Sequence, residues 1–205
     1  GSLFPAEVQI GKRYLKERTI IACTIRDITN KKQYEEKITF MAFHDSLTGL
    51  SNRSKFQQDL NVHINKALVN KESLALMYID MDRFKYINDS LGHLMGDRML
   101  KEIAKRLIDS VRETDIIARV GGDEFNILLP NTNREQALEV SENVLNEFRK
   151  PFFLDHYEFY ITASIGISMF PYDAESSQEL IKNADAALYR AKEQGKNTYS
   201  VYHSG

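Results

Sequence analysis

Residues 119–130 read RVGGDEFNILLP, and few folds satisfy that stretch. An apolar run enters two glycines, two adjacent carboxylates follow, and a second apolar run leaves. Apolar runs of this length around glycine read as two strands joined by a tight turn. Asp123 and Glu124 therefore stand at the tip of a hairpin whose arms are buried. A second run, LALMYID at 74–80, is almost continuously apolar and also ends in a carboxylate. It reads as a central strand covered on both faces.

Helical periodicity fills the space around these strands. Ser51 opens a helix with Phe56, Leu60, Ile64 and Leu68 on one face. Leu100, Ile103, Leu107 and Val111 mark another at about 97–113. A third spans 134–149 and ends before Pro151, and a fourth spans 176–194, closed by Gly195. MDRFKYINDSLGHLMGD reads as a loop or short helix, FYITASIGISMF as a half-buried strand, and TYSVY as a last strand. The order is αβαββαβαβ, with the split ferredoxin-like pattern βαββαβ at its centre. The expected class is α/β (α+β): a central, mostly antiparallel sheet flanked by helices. A right-handed crossover makes the strand ending at Asp80 parallel to the one ending near Val120. The return strand of the hairpin then lies antiparallel beside residues 74–80. Asp80 and Asp123, far apart in sequence, converge.

The front of the chain is different. AEVQI and TIIACTIRDI read as two strands around a charged turn, KRYLKER, and such a hairpin is marginal alone. Residues 30–43 read as a helix with Asn30 as N-cap and Tyr34, Ile38 and Met41 on one face. At about two heptads it is a linker helix able to pair in a dimer. The opening Gly1-Ser2 reads as a cloning remnant.

Composition narrows the partners. With 27 basic and 29 acidic residues the net charge is −2, which gives no case for duplex nucleic acid. A single cysteine, Cys23, rules out an internal disulfide and allows a reducing compartment; it reads as a small buried strand residue. No apolar run is long enough to span a bilayer and no signal peptide opens the chain. The expected location is cytoplasmic, with membrane anchoring open to a longer parent protein.

Converging carboxylates repel unless a cation sits between them. Mg²⁺ suits such oxygens, keeps several waters, and completes its shell with substrate phosphates. A pair of ions can clamp the attacking and leaving oxygens of a phosphoryl transfer. Gly121 and Gly122 give unusual backbone angles and let a bulky ligand approach. For two carboxylates alone, the plainer reading of solvated acids on a Gly-containing turn comes first. On spacing alone Asp97 is as good a helix cap as a ligand, His93 a loop histidine, and Lys192 a solvated face.

RVGGDEF together with DSLTGLSNR, DRFKYINDSLGHLMGD and NADAALYRAKEQGKN resembles the GGDEF family of diguanylate cyclases, over about residues 40–203. The resemblance implies a nucleotidyl-cyclase-like fold and the condensation of two GTP into cyclic di-GMP and two pyrophosphates. It implies Mg²⁺ or Mn²⁺, two ions per site, held by Asp80, the carbonyl of Met81, Asp123 and Glu124. Asp123 falls at the position of the general base, with Glu124 beside it, and Lys85 at that of a cation stabilising the transferring phosphate. Asn88 and Asp97 would read guanine, His93 would lie near the nucleotide, and Lys192 and Lys196 would meet the outer phosphates. At the last position the family often carries Arg; Lys keeps the charge and loses the two-pronged fork. Arg112 and Asp115 in RETD match the family's RxxD product-inhibition site, and also fit a charge pair at a helix end. One GTP site per domain implies a homodimer in action.

The front strands, closing on Asp27-Ile28-Thr29, are similar to the end of a PAS sensor domain. The implied organisation is 1–29 as the tail of a PAS-like domain, 30–44 as linker helix and 45–205 as the cyclase domain, with an upstream sensor as partner. The alternative function is a catalytically silent domain that binds GTP or cyclic di-GMP as a signalling or dimerisation module. A phosphodiesterase is disfavoured, because that family's motifs are absent.

Overall fold

The computed structural model describes residues 3–16 and 18–203, which leaves Gly1-Ser2, Glu17 and Ser204-Gly205 outside the described residues. The chain divides into two units, Gly1–Ala42 and Phe43–Gly205.

In the first unit β1 (Ala6–Leu15) pairs antiparallel with β2 (Arg18–Asp27). The strands run further than expected, since Lys12, Arg13 and Tyr14 of the anticipated turn continue β1. All of β2 is exposed, so Cys23 is not the buried strand residue expected from the sequence. Helix α1 (Thr29–Phe43) starts one residue before Asn30, so Asn30 is not its N-cap. Asp27 instead accepts hydrogen bonds from the Thr29 N–H (2.8 Å) and hydroxyl (2.6 Å).

The second unit holds a five-stranded mixed sheet in the order β4-β5-β3-β8-β9. Its strands are β3 (Leu74–Met81), β4 (Ile116–Gly121), β5 (Glu124–Leu129), β8 (Ala163–Phe170) and β9 (Tyr199–Val201). All neighbours are antiparallel except β8 and β9. β3 is the middle strand and seven of its eight residues are buried, as its unbroken apolar run requires. One face, carrying Met77, Ile79 and Ile127, packs against α3 (Phe84–Leu91), α4 (His93–Asp109) and α5 (Arg134–Arg149). The other, carrying Leu76, Tyr78 and Leu128, packs against α2 (Arg53–Asn70) and α6 (Ser177–Glu193).

Several boundaries differ from expectation for visible reasons. Asn52, not Ser51, caps α2 by accepting from the Lys55 N–H, and Ala67 rather than Leu68 completes its buried face. The segment 81–97 folds as two helices broken at Gly92, whose φ of 84° no helix continues. Asp97 therefore lies inside α4 and does not cap it. Residues 152–159 fold back on themselves as β6 (Phe152–Leu154) and β7 (Tyr157–Phe159), so β8 starts only at Ala163. Gly195 closes α6 as expected, donating to the Lys192 carbonyl at φ +109°. No helix of the described residues is long and apolar enough to cross a membrane.

Candidate active site

The register of the sheet builds the site. Asp80, near the end of β3, lies directly opposite Glu124, the first residue of β5. The intervening turn holds Asp123, whose carbonyl accepts the N–H of Met81 at 3.3 Å. Three acids thus share one sheet edge. Of the two turn glycines only Gly122 lies in the left-handed region, at φ +26°, so the turn depends on that one.

Neither key aspartate is comfortable. Burial pushes the Asp80 carboxyl above its ordinary range; Lys192 pulls it back, while the charges of Asp123 and Asp82 push further. Burial likewise raises Asp123, and the neighbouring Glu124 adds to it. Such a pair attracts positive charge. In this structure Lys192, from the last turn of α6, supplies it: Nζ lies 3.1 Å from Asp80 Oδ1. The Glu124 carboxylate turns along the sheet to accept from the Tyr78 hydroxyl at 3.4 Å. Burial and that negative neighbour push Tyr78 up to about 12, so it stays a donor.

Among the described residues no three His, Cys, Asp or Glu side chains group tightly enough to hold a metal unaided. That donor set still fits Mg²⁺, which binds through one or two carboxylates and leaves its other positions to water and phosphate. A closed four-ligand metal such as structural zinc does not fit it.

The nucleotide-facing residues expected from the sequence lie on α3, α4 and the end of α6. Lys85 is exposed in the first turn of α3 and His93 is exposed as the first residue of α4. Asn88, half-buried on α3, lies over Gly96: a methyl group there would sit 1.8 Å from Asn88 Oδ1. Asn88 thus packs over the residue that precedes the exposed Asp97, where α3 meets α4. Lys196 is exposed just past α6, at φ +66°. The structure pairs Lys192 with Asp80, so the lysine expected at the outer phosphates touches the carboxylate edge instead.

Arg112 and Asp115 lie at the far end of β4 from the turn. They pair with each other: Asp115 accepts from Arg112 N–H (2.9 Å), Nε (3.3 Å) and Nη2 (3.0 Å). Arg112 Nη2 also donates to Thr132 (2.8 Å), and the Asp115 side chain is enclosed.

Some residues that shape the site escaped the sequence reading. Arg119 donates to the Gly122 carbonyl (2.8 Å) and pairs with Asp45 (3.0 Å), while Arg53 donates to the Val120 carbonyl (3.1 Å). Burial pushes Asp45 up, but hydrogen bonds from Thr48 and the Arg119 charge outweigh it and hold the carboxyl below its ordinary range. These side chains clamp the turn to the segment DSLTGLSNR. The motif carries no sign of that partnership beyond its own charges.

A family model described as diguanylate cyclase, GGDEF domain, matches residues 42–198. Among curated proteins, MucR of Pseudomonas aeruginosa, a bifunctional diguanylate cyclase/cyclic di-GMP phosphodiesterase, is 37% identical over 190 residues, covering 93% of this chain and 27% of MucR. NbdA of the same organism, a cyclic di-GMP phosphodiesterase, is 41% identical over 162 residues, 79% of this chain and 21% of NbdA. The chain thus spans only about a quarter of these relatives' length. Among solved structures, the GGDEF domain of TpbB from Pseudomonas aeruginosa superposes with a TM-score of 0.76 at 40% identity, covering 78% of this chain and 94% of that one.

Proposed function

We propose that this chain, which belongs to the GGDEF family of diguanylate cyclase domains, condenses two GTP into cyclic di-GMP and two pyrophosphates. The observation that carries the reading is the pairing of Asp80 with Glu124 across β3 and β5, with Asp123 in the turn beside them. The edge holds the charge a phosphoryl-transfer site needs, and Lys85, Asn88, Asp97, His93 and Lys196, on α3, α4 and just past α6, would meet the nucleotide. MucR and NbdA carry cyclic di-GMP phosphodiesterase in their names, but the chain covers only a minor part of each and its family match is to the cyclase domain.

Asp80, Asp123, Glu124 and the Met81 carbonyl would hold Mg²⁺ or Mn²⁺, as one ion or two. When bound, the metal supplies charge to the triphosphate and lowers the pKa of what it touches. The chain's own residues do the rest. Asp123, raised by burial, accepts the proton of the attacking 3′-hydroxyl, as a base with an elevated pKa is suited to do. Lys85 offsets charge on the transferring phosphate. Asp97 offers two acceptors to the adjacent N–H donors of guanine, an edge that adenine lacks, and Asn88 would read guanine with it. Lys192, paired with Asp80 here, would meet substrate phosphate when Asp80 holds the ion. Two domains, each presenting one GTP, must face each other, so the working unit is a homodimer. Residues 1–29 would end a PAS-like sensor, and residues 30–44 would pass its state on by setting how two domains meet.

The test is incubation of concentrated protein with GTP and Mg²⁺, read by mass spectrometry. Cyclic di-GMP is expected from the wild type and none from Asp123→Ala. A wild type that binds GTP and yields no product, even when a fused coiled coil forces dimers, would establish the silent module instead.

The RxxD pair serves as a brake in this reading. Arg112 has the donor fork that meets guanine O6 and N7. Product must draw it away from Asp115, so affinity there is reduced by the cost of breaking that pair. Arg112→Ala is expected to raise the cyclic di-GMP concentration needed for half-inhibition by about tenfold or more, the worth of a charged hydrogen bond. Initial rates at low product should not change; unaltered inhibition would refute the assignment.

A further inference from the structure

Asp82 carries a role that the catalytic reading leaves unused. It follows Asp80 by two residues, is only 8% exposed, and forms no ion pair among the described residues. Its carboxylate is nonetheless fully engaged. Oδ2 accepts from Thr162 Oγ1 (2.6 Å) and from the backbone N–H of Asn197 (3.0 Å), and Oδ1 accepts from Ser164 Oγ (2.7 Å). The Asp82 N–H donates to the Thr162 carbonyl (2.8 Å). One buried carboxylate thus joins the exit of β3, the entrance of β8 and the segment after α6.

That segment is strained. Gly195, Lys196 and Asn197 lie in succession at φ +109°, +66° and +48°, and Lys196 carries a side chain that disfavours this region. Such a run persists only where its surroundings fix it. Three contacts do so here: Gly195 N–H donates to the Lys192 carbonyl (3.3 Å), Lys196 N–H donates to the Ala191 carbonyl (3.2 Å), and Asn197 N–H donates to Asp82. The result is a cavity of about 380 Å³ whose walls include Arg83, Tyr86, Tyr160, Thr162 and Lys196. Two of those side chains are cationic.

We propose that Asp82 is a positioning residue that locks the 195–197 segment so that Lys196, with Arg83 across the cavity, receives the outer phosphates of a nucleoside triphosphate. This rests on the reading of Lys196 as a phosphate contact. Arg83, which the sequence reading did not single out, becomes a second one.

Calorimetric titration of the whole chain with a non-hydrolysable GTP analogue, and separately with GMP, tests it. Asp82→Asn keeps the shape but turns an N–H group toward donors. It is expected to weaken the analogue about tenfold, the worth of a charged hydrogen bond, and to leave GMP unchanged. Lys196→Ala should do the same. The double variant should be about tenfold weaker and not a hundredfold, since residues acting through one another are not additive. If Asp82→Asn does not fold, Thr162→Val removes a single donor and reads the same difference. Equal weakening of GMP and the analogue, or a fully additive double variant, would overturn the proposal. A wild type that binds neither nucleotide would instead overturn the nucleotide reading beneath it.

Discussion

Asp80→Asn is expected to lower cyclic di-GMP formation by about 10³-fold, the scale seen when one preorganised electrostatic group is removed from a transition state. It should do so without unfolding the domain. Asp80 is half-buried beside Asp123, and burial together with those acidic neighbours holds its carboxyl above the ordinary 3.8. The folded state therefore binds that proton more tightly than the unfolded state does. Stability contributed by Asp80 is present at low pH and is lost as pH rises from its ordinary value through the raised one. At neutral pH its charge is a burden that Asn lifts. In divalent-free buffer the variant should melt above the wild type, by a margin that grows as pH climbs through the carboxylate range. Lys192, about a third exposed, stays solvated when its partner is gone. Mg²⁺ should then raise the melting temperature of the wild type and leave the variant where it is. A variant less stable than the wild type at neutral pH would show that the Lys192–Asp80 pair outweighs the crowding of acids. Residues that serve function commonly cost stability in this way.

The second large effect concerns a residue with no chemistry. Gly166→Ala should destabilise the domain by about 3 kcal/mol or more, the upper range for overpacking a core. That corresponds to about 10 °C in melting temperature for a domain of this size. Gly166 sits in β8 opposite Tyr78, where α6 crosses the sheet. A methyl group there would lie 2.0 Å from the Ala184 carbonyl oxygen and 2.2 Å from the Leu188 nitrogen. Both are backbone, so no rotamer relieves the clash and the helix must retreat. Helix α6 seals one face of the sheet with Leu180, Ala184 and Leu188, and its last turn delivers Lys192 to Asp80. Stability and site geometry should fail together. Gly96→Ala is the control. Its clash is with the Asn88 side chain, which can rotate, so its melting temperature should fall far less. Equal losses at the two positions would contradict the close approach of α6 to β8.

What the sequence made legible followed from long patterns. The apolar run at 74–80 and the glycine-centred hairpin both form as expected, and the crossover rule places their ends together; the Asp80–Glu124 register is its outcome. The break at Gly92 was not legible because MDRFKYINDSLGHLMGD lacks one periodic face. The first of its two helices has only eight residues, and it needs α4 and the sheet to bury Phe84 and Ile87. The hairpin of β6 and β7 has three residues per strand, too few for alternation to register. Side-chain partnerships were the least visible. Arg119 and Asp45 meet across 74 positions, and Asp82 reaches Asn197 across 115. Each of these charges looks like a surface residue until the fold closes around it.

The central claim is that the edge shared by Asp80 and Asp123 receives the cation of a bound guanosine triphosphate. The most direct measurement is a crystal structure of the chain with Mn²⁺ and a non-hydrolysable GTP analogue, read at the manganese absorption edge. The account predicts anomalous density within coordinating distance of the Asp80 and Asp123 carboxylates, bridged to the triphosphate, with Lys192 withdrawn from Asp80. Nucleotide bound elsewhere, or bound with Lys192 still paired to Asp80 and no metal between the aspartates, would contradict it.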